Sequence, residues 1–233
     1  PSRAFYRSKI TSITIPETVV EIGEYAFCSC NQTSGNLAIP GNVESIGAYA
    51  FEYCTFDGEL TLASLKLKEI KEYTFSGSKF TGELVLPLNV EKIGDHAFAN
   101  CSGFSELTLN ENLLSIGEHA FEKCSGFEGN LVIPDKVQTI GEKAFYECGW
   151  KGNLVIGKNV ISLGDDTFTI GGPSFETIRP LNFSKIYFKS VTPPSGLYNA
   201  LCSYNHKLKY VAVPIGCKDA YMRVFSNHIN VIE

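Results

Sequence analysis

This 233-residue sequence is poor in the features on which several classes of function depend. It has four histidines, one methionine and one tryptophan, and its 25 acidic side chains outnumber 20 basic ones. The resulting net charge of -5 gives no basic surface for neutralising phosphates, which argues against a nucleic-acid partner. No apolar run reaches the roughly 18 residues that a membrane-spanning helix needs. We therefore predict a chain with neither a nucleic-acid partner nor a transmembrane segment.

Motifs of catalytic chemistry are missing as well. The four histidines lie outside any Gly-x-Ser-x-Gly, His-Glu-x-x-His or paired Cys/His zinc pattern, and no phosphate-cradling glycine loop occurs. We expect no enzymatic activity and no cofactor. The sequence opens at Pro1 without an initiator methionine, and Ala4-Phe5 is the end of a repeated motif that lacks its beginning. We expect the natural protein to have upstream residues, an export signal among them.

What the sequence does contain is one motif, Ile-Gly-x-x-Ala-Phe-x-x-Cys, which is complete at Ile116 to Cys124. Its phenylalanine recurs every 22 to 24 residues, at Phe5, Phe27, Phe51, Phe75, Phe98, Phe121, Phe145 and Phe168. A period in the low twenties is typical of leucine-rich repeats, in which each coil contributes a strand and needs neighbours to bury its apolar side. We predict a repeat solenoid with a parallel β-sheet on one face and short turns or 3-10 segments on the return side.

An alternating segment between successive motifs predicts the strand of each coil. In Leu131-x-Ile133 the two apolar residues point inward, and a proline ends the strand. Nine such copies run from Ile10–Ile15 to Leu208–Val213. Five copies have one additional residue and a glycine, which predicts a bulge or tight turn; the glycines are Gly35, Gly58, Gly82, Gly129 and Gly152. The glycine of the motif itself is predicted to turn a corner.

Five of the eight cysteines belong to the repeat, because each stands three residues after the motif phenylalanine. We predict a ladder of buried, reduced thiols beside the phenylalanine ladder that runs from Phe27 to Phe168. The five are Cys30, Cys54, Cys101, Cys124 and Cys148. Cys202 and Cys217 remain a candidate disulfide, which would suit an exported protein.

The repeat rhythm is interrupted at residues 169–185, which are rich in glycine and proline and predict an irregular loop. We assign residues 1–185 to the solenoid, which begins in the middle of a repeat. Residues 186–233 are assigned to terminal strands and a C-terminal cap that is continuous with the solenoid, since the last coil of a repeat array needs a cover.

The third residue after the motif isoleucine forms one candidate protein-binding column, because tyrosine offers rigid contact area. The column consists of Tyr25, Tyr49, Tyr73, His96 and His119. The two histidines should stack about 5 Å apart, within reach of a shared metal ion. The varied occupants of this position favour a plain surface role, so no metal site is predicted. The acidic position just before it, as at Glu118, is interpreted as a cap of the turn, with calcium binding as the alternative.

The outward strand positions form the second candidate binding surface, which is small and uncharged. Its central members are Thr61, Val85, Thr108, Val132 and Val155. A column of larger aromatics at the strand starts is predicted to be core and not a carbohydrate-stacking stripe, with Trp150 the most exposed member. The column contains Phe56, Phe80, Phe104, Phe127 and Trp150.

The full repeat, Leu-x-Ile-Pro-x-x-Val-x-x-Ile-Gly-x-x-Ala-Phe-x-x-Cys, is clearest at Leu131 to Cys148 and resembles the BspA-like leucine-rich-repeat family of bacterial cell-surface proteins. The resemblance covers residues 1 to about 168, and the stretch from Ile186 to Tyr221 looks like the closing segment of such proteins in Bacteroidales. It implies a non-enzymatic adhesion or protein-binding module, extracellular or at the cell surface, whose partner is a host or matrix protein or a neighbouring surface protein. Two alternatives stay open: an architectural spacer of a larger surface protein, and a glycan-binding surface protein. No ligand residues come with the resemblance.

Overall fold

The computed structural model describes residues 1–171, 179–180, 183–202, 210–225 and 230–233. Within these residues the chain winds into a solenoid of parallel strands, as predicted. The strands are β1 Glu21–Ile22, β2 Leu37–Ile39, β3 Ser45–Ile46, β4 Leu60–Leu62, β5 Glu69–Ile70, β6 Gly82–Val85, β7 Lys92–Ile93, β8 Phe104–Thr108, β9 Ser115–Ile116, β10 Leu131–Val132, β11 Thr139–Ile140, β12 Asn153–Ile156, β13 Ser162–Leu163, β14 Thr169–Ile170, β15 Arg179–Pro180, β16 Lys185–Phe188, β17 Tyr210–Ala212 and β18 Asn230–Ile232. The helices are α1 Leu197–Cys202 and α2 Lys218–Met222, and no described helix is long and apolar enough to cross a membrane.

The longer strands form the predicted sheet face. Successive coils pair in parallel, with Leu37 opposite Leu60, and the inward leucines are buried while Ala38 between them is exposed. The prediction of a first strand at Ile10–Ile15 is wrong, because these residues do not form a strand. They have a neighbouring coil on one side only, and one backbone hydrogen bond joins them to it, from Ser34 N–H to Thr11 C=O at 3.0 Å. At the other end β18 adds a strand that the sequence analysis did not predict.

The return side of the coil also carries a strand, where only a return segment was expected. These two-residue strands end at the motif isoleucine, and β5, β7, β9, β11 and β13 form a continuous parallel sheet. Ile93 is buried opposite Ile116, while Lys92 points to solvent. Two residues are too few to show a period-two pattern in the sequence, so this strand had no readable signal.

A turn with left-handed residues follows each short strand. Tyr25 has a φ of 54° and Ser29 a φ of 60°. The same two positions are left-handed in the other coils through Glu147, and in the last regular coil Asp166 alone is. The N–H groups of Tyr25, Phe27 and Ser29 donate to carbonyls of the next coil at 3.0, 2.8 and 2.7 Å. The turn is therefore a third line of backbone hydrogen bonds along the solenoid.

The motif glycine stands at the predicted corner, directly between the short strand and the turn, but a left-handed backbone is not the reason for it. Gly47 lies outside the left-handed region, and a Cβ built there would stand 2.3 Å from the Glu24 nitrogen of the preceding coil. The glycine is needed because two backbones come close together. The five glycines at the strand starts fall into two groups, one with a left-handed backbone and one that allows a close approach of two backbones. Gly82 has a φ of 76° at a register shift, as predicted for a bulge, whereas Gly58 is not left-handed and a Cβ there would lie 2.7 Å from the Gly35 carbonyl carbon.

The interior contains the aromatic columns. Phe51 to Phe168 of the motif are buried and stack in near-parallel pairs, as at Phe98 and Phe121 (5.3 Å, 3°), while Phe27 is half-buried. Trp150 stacks on Phe127 at 4.6 Å and is 1% exposed, so the expected exposure of this residue was wrong.

The five repeat cysteines are free and buried. Each Sγ donates to a motif phenylalanine carbonyl of the preceding coil; Cys54, for example, donates to Phe27 at 3.1 Å. In the next coil Ser78 occupies the cysteine position, and its buried hydroxyl has no hydrogen-bond partner. Burial raises the thiol pKa throughout the described ladder from Cys30 to Cys124.

The C-terminal residues close the last regular coil. Leu163 N–H donates to Ser195 C=O at 2.9 Å and Phe168 N–H to Ala200 C=O at 3.1 Å, so the start of α1 takes the place of another turn. Tyr221 on α2 is buried and its hydroxyl donates to Ser190 C=O at 2.9 Å. Residues 172–178 and 181–182 of the predicted loop lie outside the described residues, as does the Cys202 side chain; Cys217 is free.

Candidate functional site

The Tyr/His column is a continuous stack of rings along one edge of the solenoid. The left-handed backbone places one ring per coil at the same point. Ring centroids lie 4.6 Å apart for Tyr25–Tyr49, 4.7 Å for Tyr49–Tyr73, 4.4 Å for Tyr73–His96 and 4.6 Å for His96–His119, with interplanar angles of 12° or less. The ring faces are therefore covered by one another, and only the half-exposed edges, with their hydroxyls and ring nitrogens, meet solvent.

This packing shifts the pKa values of Tyr49, Tyr73 and His96. Partial burial is the main cause of a raised phenol pKa at Tyr49 and Tyr73, and the neighbouring carboxylates Glu72 and Glu52 add to it. At His96 burial lowers the imidazole pKa, and the adjacent His119 ring lowers it further. His96 is accordingly a neutral imidazole near pH 7.

At the histidine end of the column, the structure adds a carboxylate that the sequence analysis missed. His119 Nδ1 lies 2.8 Å from Glu122 Oε2, and both side chains are largely buried. His96, His119 and Glu122 each offer one ligand atom, all within 4.8 Å of one another. The available signal was the three-residue spacing between His119 and Glu122, which the compact turn converts into contact.

The acidic position before the column does not cap its turn, so that interpretation was wrong. Asp95 Oδ1 accepts from Glu118 N–H of the next coil at 2.9 Å, and Asp165 accepts from Asn199 at 2.9 Å. The turn's own donors are already bound: Ala97 N–H donates to Gly94 C=O at 3.3 Å, and the column residues donate to the next coil.

The long-strand face is the second candidate surface. Thr61, Val85, Thr108 and Val132 are exposed and Val155 is half-buried; Val85 and Val132 are 49% and 50% exposed. The Thr108 hydroxyl donates to the Glu83 carboxylate at 2.6 Å. Exposed acids line the rim where the strands start, and lysines line the rim where they end. The acids are Glu59, Glu83, Glu106 and Glu128, and the lysines are Lys136, Lys158 and Lys189.

Strand pairing on this face is interrupted twice, between β4 and β6 and between β8 and β10, and we call the second gap the seam. Two backbone hydrogen bonds still cross the first gap, from Lys79 N–H to Phe56 C=O at 2.9 Å and from Thr81 N–H to Gly58 C=O at 2.8 Å. No strand pairing joins β8 to β10, although each pairs on its other side. One backbone hydrogen bond crosses the seam, from Glu128 N–H to Ser105 C=O at 2.9 Å. Leu109 N–H makes none, whereas the equivalent Leu86 N–H donates to Thr108 C=O at 3.0 Å.

The seam opens apolar surface to solvent. Leu107 and Leu109 are half-buried, whereas the equivalent Leu84 and Leu131 are fully buried. Two cavities lie along it, of about 470 Å³ at the acidic rim and about 670 Å³ toward the lysine rim. Walls of the larger cavity include Leu107, Val132 and Lys158. The sequence analysis placed Thr108 and Val132 on this face but had no means of seeing the gap between them.

The repeat sequence matches a known family. The sequence profile of the BspA type leucine rich repeat region matches six copies, over residues 1–128, 68–172 and 129–232. No curated protein has a significant sequence match to the chain.

Solved structures with the same architecture come from several bacteria. The pneumococcal vaccine antigen PcpA is 18% identical, with 99% of this chain and 69% of that chain covered and a TM-score of 0.55. The leucine rich repeat protein of T. pallidum is 19% identical, with 94% and 86% covered and a TM-score of 0.53. A leucine-rich repeat protein from Bacteroides ovatus is 20% identical over 87% of this chain, with a TM-score of 0.45; the match spans 63% of that protein.

Proposed function

Because this chain belongs to the BspA-type leucine-rich-repeat family, we propose that it is a non-enzymatic protein-binding or adhesion module, extracellular or at the cell surface, that binds its partner on the long-strand face at the seam. The partner is a host or matrix protein, or a neighbouring surface protein. Repeat solenoids offer long, regular faces that suit protein partners.

The observation that carries this proposal is the interruption of the strand ladder. Leu109 N–H has no backbone acceptor, and the half-buried Leu107 and Leu109 leave apolar surface beside it. An extended segment of a partner can supply a carbonyl to such an edge and place alternate side chains into the adjoining cavities. The rest of the face is uncharged at its centre, as at Val85, so docking there removes little charge from water.

The charges on the two rims restrict the partner's chemistry. Glu106 and Glu128 stand at one end of the seam, and the other end is mixed, with Lys136 and Lys158 beside Glu111 and Asp135. A basic group at one end of an extended segment therefore matches the acidic end of the seam, which favours one orientation of the partner.

The other interpretations have less support. A glycan-binding role needs exposed ring faces, but the faces of the Tyr25 to His119 column cover one another and the Phe56 to Trp150 column is buried. The architectural spacer remains the main alternative, because a spacer also has long regular faces. It predicts no partner at all, which makes the two separable by experiment.

The experiment measures capture of purified host matrix proteins by the immobilised chain. Val132→Arg places a charged side chain at the apolar wall of the seam, and we expect it to weaken capture at least about tenfold, since buried unpaired charge is costly. Thr61→Arg is the matched control, on the same face two coils before β8 and beside the β4–β6 interruption, so it tests whether the partner binds the seam in particular; it should capture as the wild type does.

Equal capture by wild type, Val132→Arg and Thr61→Arg would reject the seam as the binding surface. A Tyr49→Ala variant then tests the ring column in its place. Failure of the wild type to capture any matrix protein or neighbouring surface protein would support the spacer.

A further inference from the structure

We propose that His96, His119 and Glu122 form a binding site for a divalent transition-metal ion that prefers nitrogen and oxygen ligands, with Zn²⁺ as the test case. The proposal rests on the three ligand atoms lying within 4.8 Å of one another at one end of the ring column. Two imidazoles and one carboxylate are a ligand set that suits Zn²⁺ and its neighbours in the first transition row.

The distances are close to those of a bound ion. Ligand bonds of about 2.1 Å place neighbouring ligand atoms roughly 3 to 3.5 Å apart. His119 Nδ1 and Glu122 Oε2 are already 2.8 Å apart. The two rings are parallel with centroids 4.6 Å apart, so their in-plane lone pairs run side by side and do not meet. To bind one ion, both rings must rotate substantially about the terminal side-chain torsion, which has a broad energy minimum in histidine.

The surroundings hold the three ligands in place. Tyr73 stacks on the far face of His96 at 4.4 Å and orders the ring before an ion binds. Lys123 Nζ lies 3.4 Å from Glu122 Oε1 and leaves Oε2 directed at His119. The exposed acids Asp95 and Glu118 add negative charge near the site, which raises the local concentration of cations.

The backbone adds preorganisation. His96 and His119 both sit in the left-handed position of their turns, each with a φ of 54°, and their N–H groups donate to the next coil at 2.8 Å. Their spacing is fixed by the solenoid repeat and not by flexible loops, so little ordering remains to be done when an ion binds. Three protein ligands leave a further position for water.

The test is calorimetric titration of the full chain with Zn²⁺ after treatment with a chelator. All variants are made in a Cys217→Ser background, because that half-exposed thiol is free and binds Zn²⁺ on its own. His96→Tyr and His119→Tyr remove one ligand each and should fold, since tyrosine occupies this position in three other coils. Glu122→Gln removes the carboxylate, and Glu118→Gln is its exposed, charge-matched control.

We expect one Zn²⁺ per chain, with affinity at least about tenfold weaker in His96→Tyr, His119→Tyr and Glu122→Gln. Glu118→Gln removes only a nearby exposed charge and should weaken binding by no more than about twofold. Zn²⁺ should also shift the side-chain NMR signals of His96 and His119. Equal affinity in all variants, or binding that moves neither signal, overturns the proposal. The site is on a different face from the seam, so either result leaves the protein-binding proposal to its own test.

Discussion

At the scale of single residues, the cysteine ladder shows why a thiol fits this buried position better than a hydroxyl. A sulfhydryl at this depth reaches the phenylalanine carbonyl of the preceding coil, at 3.0 to 3.1 Å in five coils. The shorter hydroxyl of Ser78 stands at the same position and reaches no acceptor. A buried polar group without a partner costs about 1–3 kcal/mol.

Ser78→Cys should therefore stabilise the protein. The longer side chain restores the bond to the Phe51 carbonyl that the repeat predicts, and it extends the ladder between Cys54 and Cys101. We expect the free energy of unfolding to rise by about 1 kcal/mol, measured by denaturant unfolding under reducing conditions.

Cys101→Ser is the reciprocal control, because it creates in one coil the defect that Ser78 has in another. It should lower the free energy of unfolding by a similar amount. A destabilised Ser78→Cys, with Cys101→Ser neutral, would show that the hydroxyl at residue 78 is satisfied and the thiols are merely space-filling.

The place of a residue in the structure could be predicted from the sequence where its type recurs at the same position of each repeat. The positions of Phe98, Cys124 and Val132 followed from their spacing in the repeat. Glu122 did not, because its contact with His119 depends on a left-handed turn that leaves no mark in residue type. Trp150 was expected to be partly exposed on account of its size, but the regular stack offers a full ring space beside Phe127.

At the scale of one element, the turn after each short strand accepts unfavourable backbone conformations at ordinary residues. A non-glycine residue in the left-handed region costs roughly 1–2 kcal/mol. Two residues per turn adopt it, and the inter-coil hydrogen bonds offset the strain. The second of these positions is glycine once, at Gly77 with a φ of 76°. The remaining coils place Arg7, Ser29, Tyr53, Asn100, Lys123 and Glu147 there.

Lys123→Gly should relieve this strain. We expect it to stabilise the protein by about 0.5–1 kcal/mol, less than the full strain because glycine loses more entropy on folding. Lys123→Ala is the matched control: it also removes the exposed contact with Glu122, but it keeps a Cβ in the left-handed conformation. Denaturant unfolding of the two variants measures the difference, and a Lys123→Gly variant no more stable than Lys123→Ala would contradict the argument.

Strands with an alternating pattern of apolar residues were predicted from the sequence, and elements without such a pattern were not. The strands of the long-strand face have two to five residues within an alternating pattern, and the copies from β2 to β17 were found where expected. The two-residue return strands, the role of Gly47 in close backbone approach and the three-residue β18 have no periodic signal. They arise from stacking of one coil on the next, which is a property of the assembled solenoid.

At the scale of the whole molecule, three lines of backbone hydrogen bonds hold the coils together, and they are interrupted independently. The long-strand sheet is open at the seam. The return sheet runs unbroken past it from β9 to β11, and the turn bond from Phe121 N–H to Ala144 C=O, at 2.8 Å, crosses the same pair of coils. The coils on either side of the seam are thus joined on two sides and separated on the third. In a solenoid, stability is a sum over nearest-neighbour contacts, and one backbone hydrogen bond crosses the seam against two at the β4–β6 interruption, so the sheet face contributes little to joining these two coils.

Native-state amide hydrogen exchange should detect the seam directly. Leu109 N–H has no acceptor, whereas Leu86 and Ile133 at the same repeat position donate to the next coil at 3.0 and 2.8 Å. Amides without an acceptor exchange without any opening event, so we expect Leu109 to exchange at least about tenfold faster than Leu86 and Ile133. Phe121 N–H is the internal control, because it crosses the same pair of coils through a formed bond and should stay protected. Equal protection of Leu109 and Leu86 would mean that the ladder is closed in solution and that the seam offers a partner no free edge.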